Sequence, residues 1–323
     1  MMNVNCQFSQ QAIGCIQQAT FKHNRDNISR TTAYANYFMA YPEIRWAYLA
    51  HMVSRNAGWS MTDLTSKAYK TLLSKEWRRC LFMTYERANW LIFSDAYPQL
   101  MVYRLSKEMA RPLFHLLSAF SVSSWMIHEW EYFWYCRDIN RLLLALIVNE
   151  QHVIDKPIIR SSPFKSVFHT SIFKWQETFH FNVVLFPSYS KGIYGCSVKD
   201  FTNVIERINL GKQLSWLLFQ APCKKEIYDY FKWSPYTGSR LIDIRGYLSG
   251  EKSLPLRVTF PYIRHEDIKR IDWSKDERYK PNKALHRHVK RPVQYDLTKW
   301  YAKKHEQMLM TAKLVAHVKN SIK

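Results

Sequence analysis

The sequence predicts an all-α protein, a multi-helix globular bundle that ends in a basic irregular segment and a C-terminal helix. Three observations carry that reading. Only 8 of the 323 residues are Gly, so the turn-forming residue that β hairpins favour is scarce. Hydrophobic residues make up 47% and aromatic residues 15%, enough to fill a sizeable core. Apolar side chains recur at spacings of three and four, the periodicity of helices with one buried face. The helical core is assigned to residues 1–245. Residues 246–323 form the basic segment and a helix packed back on that core, within one domain overall.

Taken in order, Val4, Phe8, Ala12, Cys15 and Ala19 mark a helix over 4–20. Asn27 or Ser29 caps a second, which Pro42 stops after Tyr41. Pro42 opens a third, where a missing N–H costs nothing, with Trp46, Leu49, Ala50 and Val53 on its buried face. Gly58 closes that helix as a left-handed C′ residue, and Ser60-x-x-Asp63 caps the next. Helices follow over 61–74 and 76–94. Ala96-Tyr97-Pro98, which repeats Ala40-Tyr41-Pro42, starts another to about Met109.

Pro112 opens a short helix, and Ser123 or Ser124 a long one through Trp130, Phe133 and Leu143 to Val148. Asn149, Glu150 and Gln151 end it with polar groups that need partners. Two prolines make 155–163 a connector, and a helix from Pro163 carries the stripe Phe164, Phe168, Ile172, Trp175, Phe179. Val183 to Pro187 is a strand-like run with no visible partner. Ser197 and Asp200 form another capping box, and Gly211 punctuates before a helix over 214–219. Pro222 opens a helix to about Trp233. Asp296 caps the last, built on Trp300, Met308, Ala312 and Val315.

Three stretches have a more specific pattern: Ala50 to Leu64, Glu86 to Pro98 (with Arg87, Asn89, Trp90 and Asp95), and Val148-Asn149-Glu150-Gln151. They resemble the YppC-like proteins, an uncharacterised family of Bacillus-type bacteria. The resemblance runs over most of the chain and implies a cytoplasmic bacterial protein. It supplies no activity, cofactor or catalytic residue.

Chemistry is sparse. There is no Gly-rich phosphate loop, G-x-S-x-G elbow or H-E-x-x-H motif. The six cysteines include no C-x-x-C pair and read as free thiols of a reducing compartment. Glu177-x-x-His180 has the spacing of a carboxylate-bridged metal site, but a second such pair is missing. His128-Glu129 and His265-Glu266 are adjacent pairs that point to different helix faces. No metal or cofactor is predicted. The N-terminus lacks a basic and apolar leader, and the uncharged run Pro112 to His128 is too polar to span a membrane.

Two functional readings remain. Glu86, Asp95 and Glu150 lie in apolar neighbourhoods, where a raised pKa makes a general acid, unless Arg55, Arg87 or Arg141 pairs with them. An enzyme would draw its polar pocket from His51, Arg55, Asn56, Asp63, Glu86, Glu150 and Gln151. The other reading starts from the net charge of +21. From Glu251 onward there are 18 Lys or Arg against 8 Asp or Glu, a net of +10. Lys280, Lys283, Arg287, Lys290 and Arg291, interleaved with Tyr279, suit phosphates through charge and stacking. This second reading is a non-catalytic binding protein for an anionic partner, nucleic acid or an anionic membrane surface. Sequence leaves the oligomeric state open.

Overall fold

The structure, a computed structural model, describes residues 2–161, 183–190, 192–198, 200–244, 254–266 and 268–321. The described residues are mainly helical, with one two-stranded sheet among them. Helix α3 (Arg45–Asp63) runs through the centre, with 16 of its 19 residues buried. It packs on α2 (Asn27–Ala40), α5 (Lys75–Glu108) and α7 (Ile139–Ile154). Around these lie α1 (Met2–His23), α4 (Lys67–Leu72), a 3-10 turn (Phe114–Phe120) and α6 (Ser124–Cys136). The second half adds α8 (Val204–Phe219), α9 (Lys224–Trp233), short α10 (Arg240–Asp243) and α11 (Leu256–Thr259), then α12 (Pro281–His286) and α13 (Thr298–Ser321).

The core is aromatic. Trp46, Trp59 and Trp130 are fully buried, and Phe93 stacks on Tyr97 and Phe114 on Trp130. A smaller apolar cluster joins Met61, Leu64, Tyr69 and Phe82 to Met308 and Ala312 of α13. Asp296 caps α13 as its sequence predicts, its carboxylate accepting from the Thr298 N–H and hydroxyl.

Several boundaries differ from the sequence reading. The corner at Gly58 does not exist, because α3 continues to Asp63. Gly58 serves a close approach rather than a turn: the Tyr236 hydroxyl, bonded to Asn27 Oδ1, occupies the place of its missing side chain. Ser60 lies inside the helix, with Oγ donating to the Asn56 carbonyl. The chain turns after Leu64, where Ser66 caps α4. Asp26, not Asn27 or Ser29, caps α2 by accepting from the Ser29 N–H at 2.7 Å. Asn27 instead donates to Ser54. Pro42 sits in a turn and α3 begins at Arg45.

Pro98 starts no helix and lies within the 34-residue α5. Burial of Trp90, Phe93, Leu100 and Met101 around it outweighs the local cost of about 3 kcal/mol. Conversely, the long helix from Ser123 is two: Arg137 turns left-handed (φ 54°), and Asp138 caps α7 through the Arg141 N–H. Gly211 is interior to α8, where a Cβ would stand 2.6 Å from Ile147 Cγ2. Ser197 ends a strand, and Asn203 rather than Ser197 caps α8. The strand-like run finds its partner: β1 (Val183–Pro187) pairs antiparallel with β2 (Ile193–Ser197). The stripe from Phe164 to Phe179 and the Glu177–His180 pair lie outside the described residues.

Candidate anion-binding cleft

At the end of α7 the backbone widens into a π turn (Asp155–Ile159) that carries Asp155 into the interior. Its carboxylate accepts from Arg207 Nη2 (2.8 Å) and the Tyr279 hydroxyl (2.9 Å) and forms an ion pair with Arg160 Nε at 2.8 Å. Gln151 Oε1 adds an acceptor for Arg207 Nε at 3.1 Å. A buried charge stripped of water requires such partners. Asp276 anchors a second set: Lys156 Nζ at 2.9 Å, and Arg278 through Nε and Nη2 at 2.9 and 2.7 Å.

The basic segment is docked onto α7 and α8 by side chains that its composition hides. Trp273 donates to Asn149 Oδ1 at 3.1 Å and stacks on His152, centroids 4.2 Å apart. Tyr279 meets the same imidazole edge-on at 4.7 Å. Burial draws His152 down to about 4, so the ring is neutral at pH 7 and its Nδ1–H donates to the Val148 carbonyl. Lys212, buried on α8, donates to the carbonyls of Ala284, Leu285 and Arg287 at 2.7, 3.0 and 2.9 Å. An ammonium at the carbonyl end of α12 satisfies acceptors the helix cannot. Burial, with the Arg287 guanidinium second, lowers its pKa to about 8.

The docked segment encloses a cleft of about 440 Å³. Arg160, Arg278, Lys280, Lys283 and Arg287 line it, together with His152 and Tyr279 and the apolar Val204 and Ile205. None of the lining residues is acidic. Lys280, Lys283 and Arg287 have no carboxylate partner among the described residues. Of the five cations the sequence singles out, these three therefore converge. Lys290 and Arg291 lie outside: the Lys290 carbonyl accepts from Gln213, and the Arg291 guanidinium sits 6.0 Å over Trp216. Arg278 opens the same basic run two residues before Lys280, and only Arg160 joins the site through folding alone. Arg160 carries no sequence signal, whereas Lys212 beside Leu210 and Leu214 is an apolar-face lysine that periodicity could have flagged.

The seven residues of the enzyme reading are divided among several neighbourhoods, with Gln151 bonded to Glu150 and His51 close to Arg55. His51 Nδ1 donates to the Thr31 carbonyl at 2.9 Å, and burial lowers the ring to about 3. Arg55 donates to the carbonyls of Ser234 and Pro235 and lies over the Tyr230 and Tyr236 rings. Asn56 Oδ1 accepts from the Leu185 N–H and holds the hairpin. Asp63 pairs with Arg240 at 2.8 Å. Glu86 pairs with buried Arg30 and with His265, and borders a different cleft beside Asp26 and Arg257. Asp95 accepts from Gln99 and Asn149, both at 2.6 Å, and burial raises its pKa.

Among the described residues no arginine pairs with Glu150: Trp46 Nε1 and Gln151 Nε2 donate to it, both at 3.0 Å. Burial pushes it up to about 7. Arg141 goes to Glu129 and Arg87 lies over Trp90, because α6 and the indole are nearer than the acids the sequence suggested. Among the described residues no group of three His, Cys, Asp or Glu could hold a metal, and no helix is long and apolar enough to cross a membrane.

A family model described as a protein of unknown function (DUF2515) matches residues 22–302. The chain belongs to this family. It is 46% identical over 297 residues to the uncharacterized protein YppC of Bacillus subtilis (strain 168), covering 91% of this chain and 92% of that one. No solved structure matches. The matched region takes in Asp155, Arg160, Arg207, Lys212 and the segment 273–291, so the cleft lies within the part of the chain that defines the family.

Proposed function

We propose that the protein is a non-catalytic binding protein for an anionic partner, which it contacts through phosphate groups at the cleft. Nucleic acid and an anionic membrane surface are the partner classes its basic character suits. One observation carries the reading: five cationic side chains, Arg160 and four from the run 278–287, line a single cleft with no acidic residue in its lining. Lys280, Lys283 and Arg287, which have no carboxylate partner among the described residues, repel one another there, and an anion relieves that cost. Arg160 and Arg278 are pre-oriented by Asp155 and Asp276, and this lowers the ordering cost of binding.

The test is binding of DNA, RNA and phosphatidylserine vesicles between low and physiological salt. The parent should bind at least one of them, with affinity falling as salt rises. Replacing Lys280, Lys283 and Arg287 together by Gln should flatten that slope and leave the helical fold intact, since all three are exposed. Absence of binding to every partner at low salt would remove the proposal.

A further inference from the structure

We infer that the cleft is a site for a compact diphosphate group, of small-molecule dimensions, rather than a track for an extended phosphate backbone. This rests on the anion-binding reading above and narrows its ligand. A polymer track needs cations spaced along a groove, and Lys290 and Arg291, the next cations in sequence, are not among the residues that line this one. The charge instead converges on one concavity of about 440 Å³, within the range of small-molecule sites.

The charge balance fits more than one phosphate. Around the cleft Lys156, Arg160, Arg207, Arg278, Lys280, Lys283 and Arg287 outnumber the carboxylates near them, Asp155 and Asp276, which are paired with four of them, and Asp200 beside Arg207. Asp155 pairs with Arg160, with Nε nearest its carboxylate at 2.8 Å, and so fixes the guanidinium at the rim of the cleft. Asp276 holds Arg278 by Nε and Nη2, leaving Nη1. Planar guanidinium groups fixed in this way suit bidentate contact with phosphate oxygens.

Val204 and Ile205, at the start of the 16-residue α8, form an apolar wall beside the cations. The positive end of that helix adds to the same field. A diphosphate on an organic body would place its charge on the cations and its body on this wall. Two phosphates held close together on an organic body occur as the diphosphate of a free nucleotide and, without the P–O–P link, as the paired phosphomonoesters of a bisphosphorylated lipid headgroup.

The experiment is isothermal titration of the intact protein at low salt with pyrophosphate, orthophosphate and single-stranded DNA. ATP and vesicles containing phosphatidylinositol bisphosphate serve as competition arms. Pyrophosphate should bind roughly tenfold or more tightly than orthophosphate, and Lys283→Gln with Arg287→Gln should weaken it roughly tenfold. Lys290→Gln with Arg291→Gln should change it less than about twofold. Thermal melts of both double variants confirm folding. Competition by ATP identifies a free ligand and competition by the vesicles a headgroup. DNA binding that depends on Lys283 and Arg287, without pyrophosphate binding, overturns the diphosphate inference and keeps the broader reading. If none of the probes binds, both fall.

Discussion

Gly58 and Glu150 show how much a single residue's surroundings change its meaning. Alanine normally improves a helix over glycine by about 1 kcal/mol. At Gly58 a methyl group would collide with the Tyr236 hydroxyl and Asn27 Oδ1, which sit against the bare backbone. Gly58→Ala should therefore destabilise the protein by about 1–3 kcal/mol despite the better propensity, seen as a lower urea midpoint. Glu150 has a folded pKa near 7, above the 4.5 of an exposed glutamate, because burial outweighs its two donors. The folded state thus holds a proton that the unfolded state releases between those values. Stability from this group is fully present below about 4.5 and lost as pH rises to about 7. Glu150→Gln should flatten that decline, a gain on the order of 3 kcal/mol at pH 8 relative to pH 4.5. Parallel pH–stability curves for parent and variant would contradict it.

At the scale of elements, α12 is too short to hold itself, and α8 holds it. Six residues give few internal hydrogen bonds, and the ammonium of Lys212 supplies donors to its carbonyl end. Lys212→Met keeps the aliphatic packing and strands three acceptors, which should cost on the order of 2–4 kcal/mol. Hydrogen exchange over 281–288 should rise with it, and anion affinity should fall although Lys212 does not line the cleft. Unchanged exchange there would mean that Trp273 and Tyr279 suffice as anchors. The same dependence on neighbours explains the hairpin. β1 is paired by β2 and by Asn56 of α3, and neither contact is visible in the run Val183 to Pro187 itself.

For the whole molecule, the decisive quantity is the +21 net charge. Self-repulsion of that size opposes compactness, so modest salt should raise the melting temperature by screening. An anion held at the cleft should raise it further by mass action, by about 2.7 kcal/mol at a hundredfold excess over its dissociation constant. Pyrophosphate should thus exceed sodium chloride at equal ionic strength, and the Lys280, Lys283 and Arg287 triple variant should remove the difference. Equal melting curves in the two salts would assign the charge to general screening.

The sequence by itself determined the fold class, the family resemblance and the excess of positive charge. Helical periodicity, scarce glycine and local charge density are all properties of neighbours in the chain. It also located the last helix, because Asp296 and Thr298 make a cap from adjacent residues. What it misassigned were features decided by distant partners. Gly58 and Pro98 act as helix breakers in isolation, and burial against other elements overrides both. Glu150 was expected to meet an arginine and meets an indole. The cleft was half legible: Lys280, Lys283 and Arg287 are close in sequence, while Arg160 lies more than a hundred positions earlier. Only tertiary structure brings it there, because Asp155 in the π turn pairs with Arg160 and Arg207 and accepts from Tyr279 at once and so gathers three stretches of chain around one buried charge.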